Sequence, residues 1–329
     1  MTDELPVRMV LNDIADILKD GKRFFLASHK DPDGDAVGSM LALGETLMLS
    51  GKEVVLFNEG PIPDSLASLA GAEGIVEDFN PESGFDACFV LDCGNLERVG
   101  GISSRLSKLR PLINIDHHGG NSGFGDLNLV DADSSSVGEI VYRLIRLADL
   151  PMNLNIAENI FVAIQTDTGS FRYDNTTREA FRIAAETLDL GVSPWRISRR
   201  VMDEYTLKDL RLLESSLKTI ELYHTGKVGL ITITKRMQSQ ANADNVDSER
   251  FVNYPRFIPG VEIAALIREI GRDYYKFSLR SNDRVNVADL ARYFGGGGHP
   301  RAAAFTREGS LDLLKQEFLT KALEFLDSR

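Results

Sequence analysis

The segment RFFLASHKDPDGDAVGSMLALGETLMLS, residues 23–50, contains the clearest secondary-structure pattern in the chain. Its opening run, RFFLAS (23–28), is short, aromatic and apolar and ends at a polar turn, which predicts a buried strand. Residues 36–50 place apolar side chains on one broad face of a helix, and the next apolar run, EVVLF (53–57), predicts a second strand. This order is typical of a βαβ unit in a parallel sheet.

The same pattern continues through the N-terminal half of the chain. ACFVLD (87–92) and LINID (112–116) predict two further buried strands. Helical periodicity follows at 134–150, 155–165 and 176–191, and the last of these ends in glycine, which is common just beyond a helix C-terminus. We therefore predict an α/β N-terminal domain with a doubly wound, mostly parallel sheet.

A polar, helical stretch at 192–215 separates this pattern from a second set of strand signals. Residues 1–191 are predicted to form the N-terminal domain and residues 216–329 a smaller α+β C-terminal domain, in line with roughly 100–200 residues per domain. We expect Trp195, the only tryptophan, to pack the linker against the core.

The C-terminal part combines strands, a glycine-rich segment and a closing helix. Strands are predicted at 227–233, 261–267 and 274–280, and an amphipathic helix from 310 to about 326. The segment FGGGGHPRAAAF (294–305) has four consecutive glycines between a helix-like flank and a tight run of alanines. Because glycines let the backbone approach a ligand without an intervening Cβ, we predict a binding loop here rather than a hinge.

The composition excludes several classes of protein. The chain has 329 residues, 43% of them hydrophobic, which rules out a collagen-like, mucin-like or wholly disordered chain. No apolar run approaches the ~20 residues needed to cross a bilayer, and the first ten residues lack the positive charge of a secretory leader. The two cysteines, Cys88 and Cys93, are expected to fill the core, so the sequence predicts a cytoplasmic protein with reduced thiols.

Charge is unevenly distributed along the chain, whose formal net charge is −12. Residues 1–215 contain 20 Lys+Arg and 35 Asp+Glu, a balance of −15, whereas residues 216–329 contain 17 and 14, a balance of +3. The first part suits cations and the second suits an anion. A long nucleic-acid duplex is disfavoured, because a surface that tracks one is normally strongly basic.

Candidate metal ligands follow three of the predicted strands. They are His29, Asp33, Asp35, Asp92, Asp116, His117 and His118. Because ligands of open α/β sheets gather beyond the carboxyl ends of the strands, we expect these three groups to converge. Asp167, at the polar end of an otherwise apolar helix, is a fourth contribution. Each group alone has a simple structural explanation, such as a turn or a cap, but all four at element ends favour a shared site.

The donor set indicates the kind of metal. Leaving Asp116 and His118 aside, the set has two imidazoles and four carboxylates. These are too many for one four-coordinate zinc ion and suit two octahedral divalent ions bridged by one carboxylate. Without a thiolate, the set favours manganese, with magnesium and zinc behind it. A calcium loop starting at Asp31 is excluded, because its sixth position is Ala36 rather than glycine and its twelfth is Ala42 rather than glutamate.

The motifs, taken together and in this order, resemble one known family. They are HKDPDGDAVGS (29–39), LDCG (91–94), DHH (116–118), TDTGSF (166–171) and GGGGH (295–299). The set resembles the DHH phosphoesterases that have a DHH-associated C-terminal domain, and within them the nanoRNase/pAp phosphatase subgroup, where pAp is 3′-phosphoadenosine-5′-phosphate. The resemblance covers nearly the whole chain.

The resemblance implies two Mn²⁺ ions, with Mg²⁺ or another divalent ion as the alternative. One ion would be held by His29, Asp33 and Asp92, and the other by Asp35, Asp92, His117 and Asp167. Asp92 would therefore bridge the two ions. His118 would face the scissile phosphate, and Asp116 would orient the neighbouring imidazole.

The resemblance also implies substrate-binding residues in the C-terminal domain. The GGGH segment would contact the nucleotide, and the Leu-Arg-Ser segment would bind a phosphate away from the cleaved bond. The residues concerned are Arg280, Ser281, Gly296, Gly297, Gly298, His299 and Arg301. A bidentate phosphate clamp at Arg280 fits the chemistry of a guanidinium. A solvated charge at a strand end is the simpler alternative for this residue.

The predicted activity is hydrolysis of short oligoribonucleotides to mononucleotides, together with removal of a phosphate from pAp. The alternative within the same chemistry is a stand-alone cyclic di-AMP or linear dinucleotide phosphodiesterase. A non-catalytic nucleotide sensor would be expected to lack one or more ligands, and none is missing here. The expected partners are short single-stranded RNA and nucleotides, and the resemblance implies that homodimers can form.

Overall fold

The chain divides into two compact units, Met1–Glu204 and Tyr205–Arg329. The boundary lies inside the stretch 192–215 that the sequence marks as a linker. The computed structural model describes residues 4–79, 84–203, 205–244, 246, 248–282 and 285–327. Each unit has its own sheet and its own apolar core.

A six-stranded parallel sheet forms the centre of the first unit. Its strands are β1 (Arg23–Ala27), β2 (Glu53–Phe57), β3 (Ile75–Val76), β4 (Ala87–Leu91), β5 (Leu112–Asp116) and β6 (Leu127–Val130). The strand order is β3-β2-β1-β4-β5-β6, and every adjacent pair is parallel. The predicted α/β class is thus confirmed. Because β4 lies between β1 and β5, the carboxyl ends of the three strands that precede the candidate ligands are neighbours.

Helices cover both faces of this sheet unequally. They are α1 (Glu4–Asp20), α2 (Gly34–Leu49), α3 (Asp64–Ala67), α4 (Ser103–Leu106), α5 (Val137–Leu147), α6 (Leu154–Asp167), α7 (Arg178–Asp189) and α8 (Pro194–Ser198). Phe24 and Leu26 of β1 pack in the core that includes α2, α5 and α6, while the alternate side chains Phe25 and Ala27 pack in a smaller core that includes α4.

Two glycines allow the long helices to approach closely. A Cβ on Gly38 of α2 would lie 2.5 Å from the carbonyl oxygen of Asn159, and one on Gly138 of α5 would lie 2.4 Å from the Cβ of Ala163. Both contacts are shorter than packed atoms allow, so α2 and α5 can approach α6 only with glycine at these positions. This packing fixes the helix ends near the candidate ligands.

The second unit is a mixed sheet with helices on both faces. Its strands are β7 (Glu221–Tyr223), β8 (Val228–Ile233), β9 (Ile263–Gly271), β10 (Tyr274–Ser281), β11 (Gly297–His299) and β12 (Ala302–Glu308). Its helices are α9 (Leu207–Leu217), α10 (Lys235–Ala241), α11 (Asn253–Arg256), α12 (Val287–Tyr293) and α13 (Leu311–Asp327). The strand order is β11-β12-β10-β9-β8-β7, with only β8 and β9 parallel among these pairs. The predicted smaller α+β domain is confirmed.

Part of the glycine-rich segment, which the sequence predicts to be a binding loop, is a strand. Gly297–His299 forms β11, a short edge strand that pairs antiparallel with β12. A Cβ on Gly296 would lie 2.1 Å from the carbonyl oxygen of Ala304, and one on Gly298, at φ +142°, would lie 2.4 Å from that of Ala302. Two of the glycines are therefore needed because two backbones approach each other closely.

The single tryptophan also differs from expectation. Trp195 lies in α8 and is 70% exposed, so it does not anchor the linker in a core. Cys88 and Cys93 are buried as expected, and burial raises the pKa of both thiols to about 12. Within the described ranges, every helix is too short or too polar to cross a bilayer.

Candidate metal centre

Asp92 lies at the centre of the candidate site. It follows β4 directly, in a left-handed backbone conformation (φ +56°), and its N–H donates to the carbonyl of Ile115 in β5. One carboxylate oxygen, Oδ2, is 3.6 Å from Nε2 of His29, and the other, Oδ1, is 3.8 Å from Nε2 of His117. The two oxygens thus face two different imidazoles, as a bridging ligand requires.

The loop after β1 places two carboxylates at the start of α2. Asp33 is the N-cap of α2, and its Oδ1 accepts the N–H groups of Asp35 and Ala36, both at 3.1 Å. Asp35 is buried in the first turn and accepts from two backbone N–H groups at the start of α5, Val137 at 2.7 Å and Gly138 at 2.9 Å. The α5 N-terminus thereby stabilises a buried carboxylate.

His117 has its two ring nitrogens in different environments. Nδ1 lies 3.2 Å from the carbonyl of Ser134 and donates to it, so Nε2 is the nitrogen that could coordinate a cation. Nε2 is 3.8 Å from an oxygen of Asp35 and 3.7 Å from one of Asp167, in addition to its approach to Asp92. Three carboxylates from three different elements therefore surround one imidazole nitrogen.

Asp167 is the last residue of α6 and accepts hydrogen bonds from an asparagine side chain. The side-chain amide of Asn175 donates to Oδ2 of Asp167 at 2.9 Å, to its main-chain carbonyl at 3.2 Å and to the carbonyl of Ser135 at 3.0 Å. Burial raises the pKa of Asp167 to about 7; nearby imidazoles oppose this, and the charges of Asp33 and Asp92 add to it. Burial and the other carboxylates likewise raise the pKa of Asp35.

The second histidine of the DHH motif pairs with the aspartate before it. Nδ1 of His118 donates to Oδ1 of Asp116 at 2.6 Å and lies 3.6 Å from Oδ1 of Asp92. Burial lowers the pKa of His118, but the bond to Asp116 and the charges of both carboxylates outweigh it and raise the pKa to about 9. For Asp92, burial raises the pKa, but the hydrogen bond with His29 and the charges of the imidazoles outweigh burial. Together they hold the pKa of Asp92 well below its usual range.

The donor set fits divalent cations. Oδ1 of Asp92 is a buried carboxylate oxygen with no hydrogen-bond partner among the described residues, which is costly unless a cation binds there. The ligating atoms of His29, Asp33 and Asp92 lie within 4.8 Å of one another, as do those of Asp92, His117 and His118. Oxygen and imidazole donors without sulfur suit Mn²⁺ or Mg²⁺ better than a thiolate-seeking ion.

Sequence reasoning missed the residues that support these ligands. The segment 134–138 was expected to be helical, but α5 begins only at Val137, and the preceding serines supply carbonyls to His117 and Asn175. Asn175 and Asn121 lie outside the sequence motifs. The only signal was a set of small polar residues in predicted helix or turn, and such residues commonly serve as caps.

The predicted substrate-binding residues meet in the second unit. Arg280 and Ser281 end β10, beside the turn between β11 and β12. Ser281 donates its N–H to the carbonyl of Arg301 at 3.1 Å and its hydroxyl to that of Pro300 at 3.3 Å. Gly297 precedes this turn on β11. The side chain of His299 lies outside the described part of the structure.

Two domain families match the chain. Residues 23–164 match the DHH family, N-terminal domain, and residues 229–329 match the DHHA1 domain. Both parts of a DHH phosphoesterase with its associated C-terminal domain are therefore present, one in each unit.

Known proteins resemble the chain over most of its length. The bifunctional oligoribonuclease and PAP phosphatase NrnA of Thermus thermophilus is 33% identical over 302 residues, which cover 91% of this chain and 89% of that protein. A probable NrnA of the same description from Streptococcus mutans is 29% identical over 275 residues, 84% of this chain and 86% of the relative. The chain belongs to the NrnA family of DHH phosphoesterases.

A solved structure supports the same fold. The crystal structure of an exopolyphosphatase-related protein from Bacteroides fragilis superposes with a TM-score of 0.86 at 29% identity, covering 96% of this chain and 97% of that one. The predicted family and fold are confirmed.

Proposed function

We propose that this protein hydrolyses short oligoribonucleotides to mononucleotides and dephosphorylates pAp, using two divalent cations, with Mn²⁺ preferred. The observation that supports this most directly is the position of Asp92, whose two oxygens face His29 and His117. The relatives from T. thermophilus and S. mutans are named for both activities.

The proposed ligand sets are those that the family resemblance implies, and the short distances between their side chains in the first unit support them. His29, Asp33 and Asp92 would hold one cation, and Asp35, Asp92, His117 and Asp167 the other. Two such cations supply Lewis-acid chemistry, because they make water a stronger acid and neutralise charge on phosphoryl oxygens. Burial, together with the charges of neighbouring carboxylates, raises the pKa values of Asp35 and Asp167, and bound cations would favour their charged forms.

His118 is the proposed contact to the reacting phosphate. Its Nδ1 is occupied by Asp116, so Nε2 is the nitrogen that can donate a hydrogen bond to a phosphoryl oxygen or protonate a leaving oxygen. The raised pKa of His118 keeps this nitrogen protonated at neutral pH in the absence of cations. Asp116 acts on the substrate only through the imidazole.

The second unit is proposed to bind the part of the substrate that does not react. Arg280 would form charge-assisted hydrogen bonds to a phosphate that is not cleaved, and Ser281 lies next to it at the strand end. The nearby β11–β12 turn would contribute Arg301 and the glycines of β11. A short single strand or a mononucleotide offers the single phosphates that such a site would bind, and a long duplex is not an expected partner.

A substrate panel tests the proposal. Purified protein would be assayed with dinucleotide RNA, a five-residue RNA, pAp, cyclic di-AMP and pyrophosphate, each with Mn²⁺, with Mg²⁺ and after chelation. We expect mononucleotides from the RNAs and AMP from pAp, fastest with Mn²⁺ and absent after chelation. Turnover of cyclic di-AMP alone would contradict the proposed substrates and favour a cyclic dinucleotide phosphodiesterase. The absence of hydrolysis with any divalent ion would refute an enzymatic role.

A further inference from the structure

A half-buried asparagine connects the DHH motif to the end of β4. The side-chain amide of Asn121 donates to Oδ2 of Asp116 at 2.5 Å and to the carbonyl of Cys93 at 3.3 Å. Cys93 is the residue after Asp92, and Asp116 is the partner of His118. Asn121 therefore contacts the two segments that carry the proposed bridging ligand and the proposed phosphate contact.

The orientation of the Asn121 amide is fixed by donors on its other side. Its Oδ1 accepts the side-chain amide of Asn114 at 2.8 Å and the N–H of Gly123 at 2.7 Å. Because both partners of Oδ1 are donors and both partners of Nδ2 are acceptors, a flipped amide would lose four hydrogen bonds. The amide can therefore present only N–H groups to Asp116.

The network extends to a second strand. Asn114 is fully buried in β5, and its amide also lies 3.4 Å from Oδ1 of Asn128 in β6. Asn128 accepts the N–H of Gly125 at 2.9 Å and donates to its carbonyl at 2.8 Å. A line of side-chain amides thus runs from an anchored turn at Gly125 to the carboxylate of Asp116.

We propose that Asn121 is a positioning residue that holds Asp116 so that His118 directs Nε2 at the substrate phosphate; this inference rests on the proposed phosphoesterase function. Asp116 is fully buried, and its two oxygens have separate tasks: Oδ1 accepts from His118 and Oδ2 accepts from Asn121. Without Asn121, Oδ2 would lack its donor, and rotation of the carboxylate to find another one would move Oδ1 away from Nδ1 of His118.

The test compares two asparagine-to-leucine variants of equal size change. Asn121→Leu removes the donor to Asp116 and excludes a replacement water, whereas the control Asn159→Leu removes a more deeply buried asparagine of α6 that donates to the carbonyl of Ala70. We expect Asn121→Leu to lower kcat on dinucleotide RNA about 10- to 100-fold with KM within twofold of wild type. Asn159→Leu should leave kcat within twofold.

A second readout does not depend on turnover. Long-range ¹H–¹⁵N spectra of the five histidine imidazoles should show the Nδ1 proton of His118 in a strong hydrogen bond in wild type and a clear shift of that signal in Asn121→Leu. If Asn121→Leu fails to fold, Asn121→Asp keeps the shape, opposes the Asp116 carboxylate with a second one and is expected to change both readouts further.

The outcomes separate this inference from the function it rests on. An active wild type with unchanged kcat and unchanged His118 signals in both Asn121 variants would overturn the positioning role. A wild type inactive on the whole panel would refute the proposed function, and the spectra would still show whether Asn121 holds the Asp116–His118 pair.

Discussion

The carboxylate of Asp35 accepts the backbone N–H of Val137 at 2.7 Å, although the two residues are 102 positions apart in the chain. Asp35 lies in the first turn of α2 and Val137 is the first residue of α5, so the hydrogen bond joins the first turns of two helices. A proposed metal ligand is therefore held by the packing of two helices, and its position depends on the fold of the whole first unit.

Neutralising Asp92 should remove activity without unfolding the protein. We expect Asp92→Asn to lower turnover of a phosphodiester with Mn²⁺ by more than about 100-fold, because the bridging charge is lost while the side-chain shape is kept. The melting temperature without added cations should stay within a few degrees of wild type. Asp133→Asn, at an exposed aspartate of the same unit, is the matched control and should behave as wild type. Activity of Asp92→Asn close to wild type would remove this residue from the proposed centre.

Truncating Arg280 should weaken binding more than chemistry. Loss of a charge-assisted phosphate contact of ~1.5 kcal/mol or more predicts about a tenfold or larger rise in KM for pAp, with kcat little changed. The measurement is steady-state kinetics on pAp and on a substrate without the second phosphate. The control is Arg272→Ala in the turn between β9 and β10, which is almost fully exposed. An equal effect of both substitutions, or an unchanged KM in Arg280→Ala, would contradict the phosphate clamp.

Cations should stabilise the first unit. The crowded carboxylates Asp35, Asp92 and Asp167 are mutually repulsive, so an ion that binds only the folded state adds stability, about 2.7 kcal/mol at a free concentration of 100 Kd. We expect the melting temperature to rise with Mn²⁺ concentration and to return to its starting value after chelation. The rise should be much smaller in Asp92→Asn. A melting temperature independent of Mn²⁺ and Mg²⁺ would contradict a cation site.

Two neighbouring glycines should respond differently to alanine. Gly298 has φ +142°, and a Cβ there would lie 2.4 Å from the carbonyl oxygen of Ala302. A Cβ on Gly297 would have no other heavy atom within 4 Å apart from its chain neighbours. We expect Gly298→Ala to lower the free energy of unfolding by more than about 1 kcal/mol and Gly297→Ala to change it by less than about 0.5 kcal/mol. Urea denaturation of both variants provides the comparison. Equal effects would contradict the close pairing of β11 and β12.

Much of the fold was predictable because buried parallel strands are continuous apolar runs. RFFLAS and ACFVLD match β1 and β4 to within one residue. Strands β3, β6, β7, β11 and β12 were missed as strands, because they are short, polar or rich in glycine and alanine and lack a strand-like pattern. The exposure of Trp195 was also unpredictable, since an aromatic residue in a polar stretch gives no indication of what covers it.

Part of the candidate site was predictable from the sequence and part was not. The proximity of the candidate ligands could be predicted because His29, Asp92 and His117 follow strands, and parallel strands bring their ends together. Their supports were not found, because Asn121 and Asn175 act through contacts that depend on the tertiary packing of separate elements. The sequence of a loop reveals its donors and acceptors but not which way each one points.

The five residues Ser134–Gly138 serve three parts of the proposed centre at once, through the carbonyl to His117, the carbonyl to Asn175 and the two N–H groups to Asp35. Consequently, inserting or deleting a single amino acid in this stretch would displace all of these partners together, while side-chain changes at positions other than Gly138 would leave the backbone donors and acceptors in register. Length, more than composition, is what natural variation should preserve here.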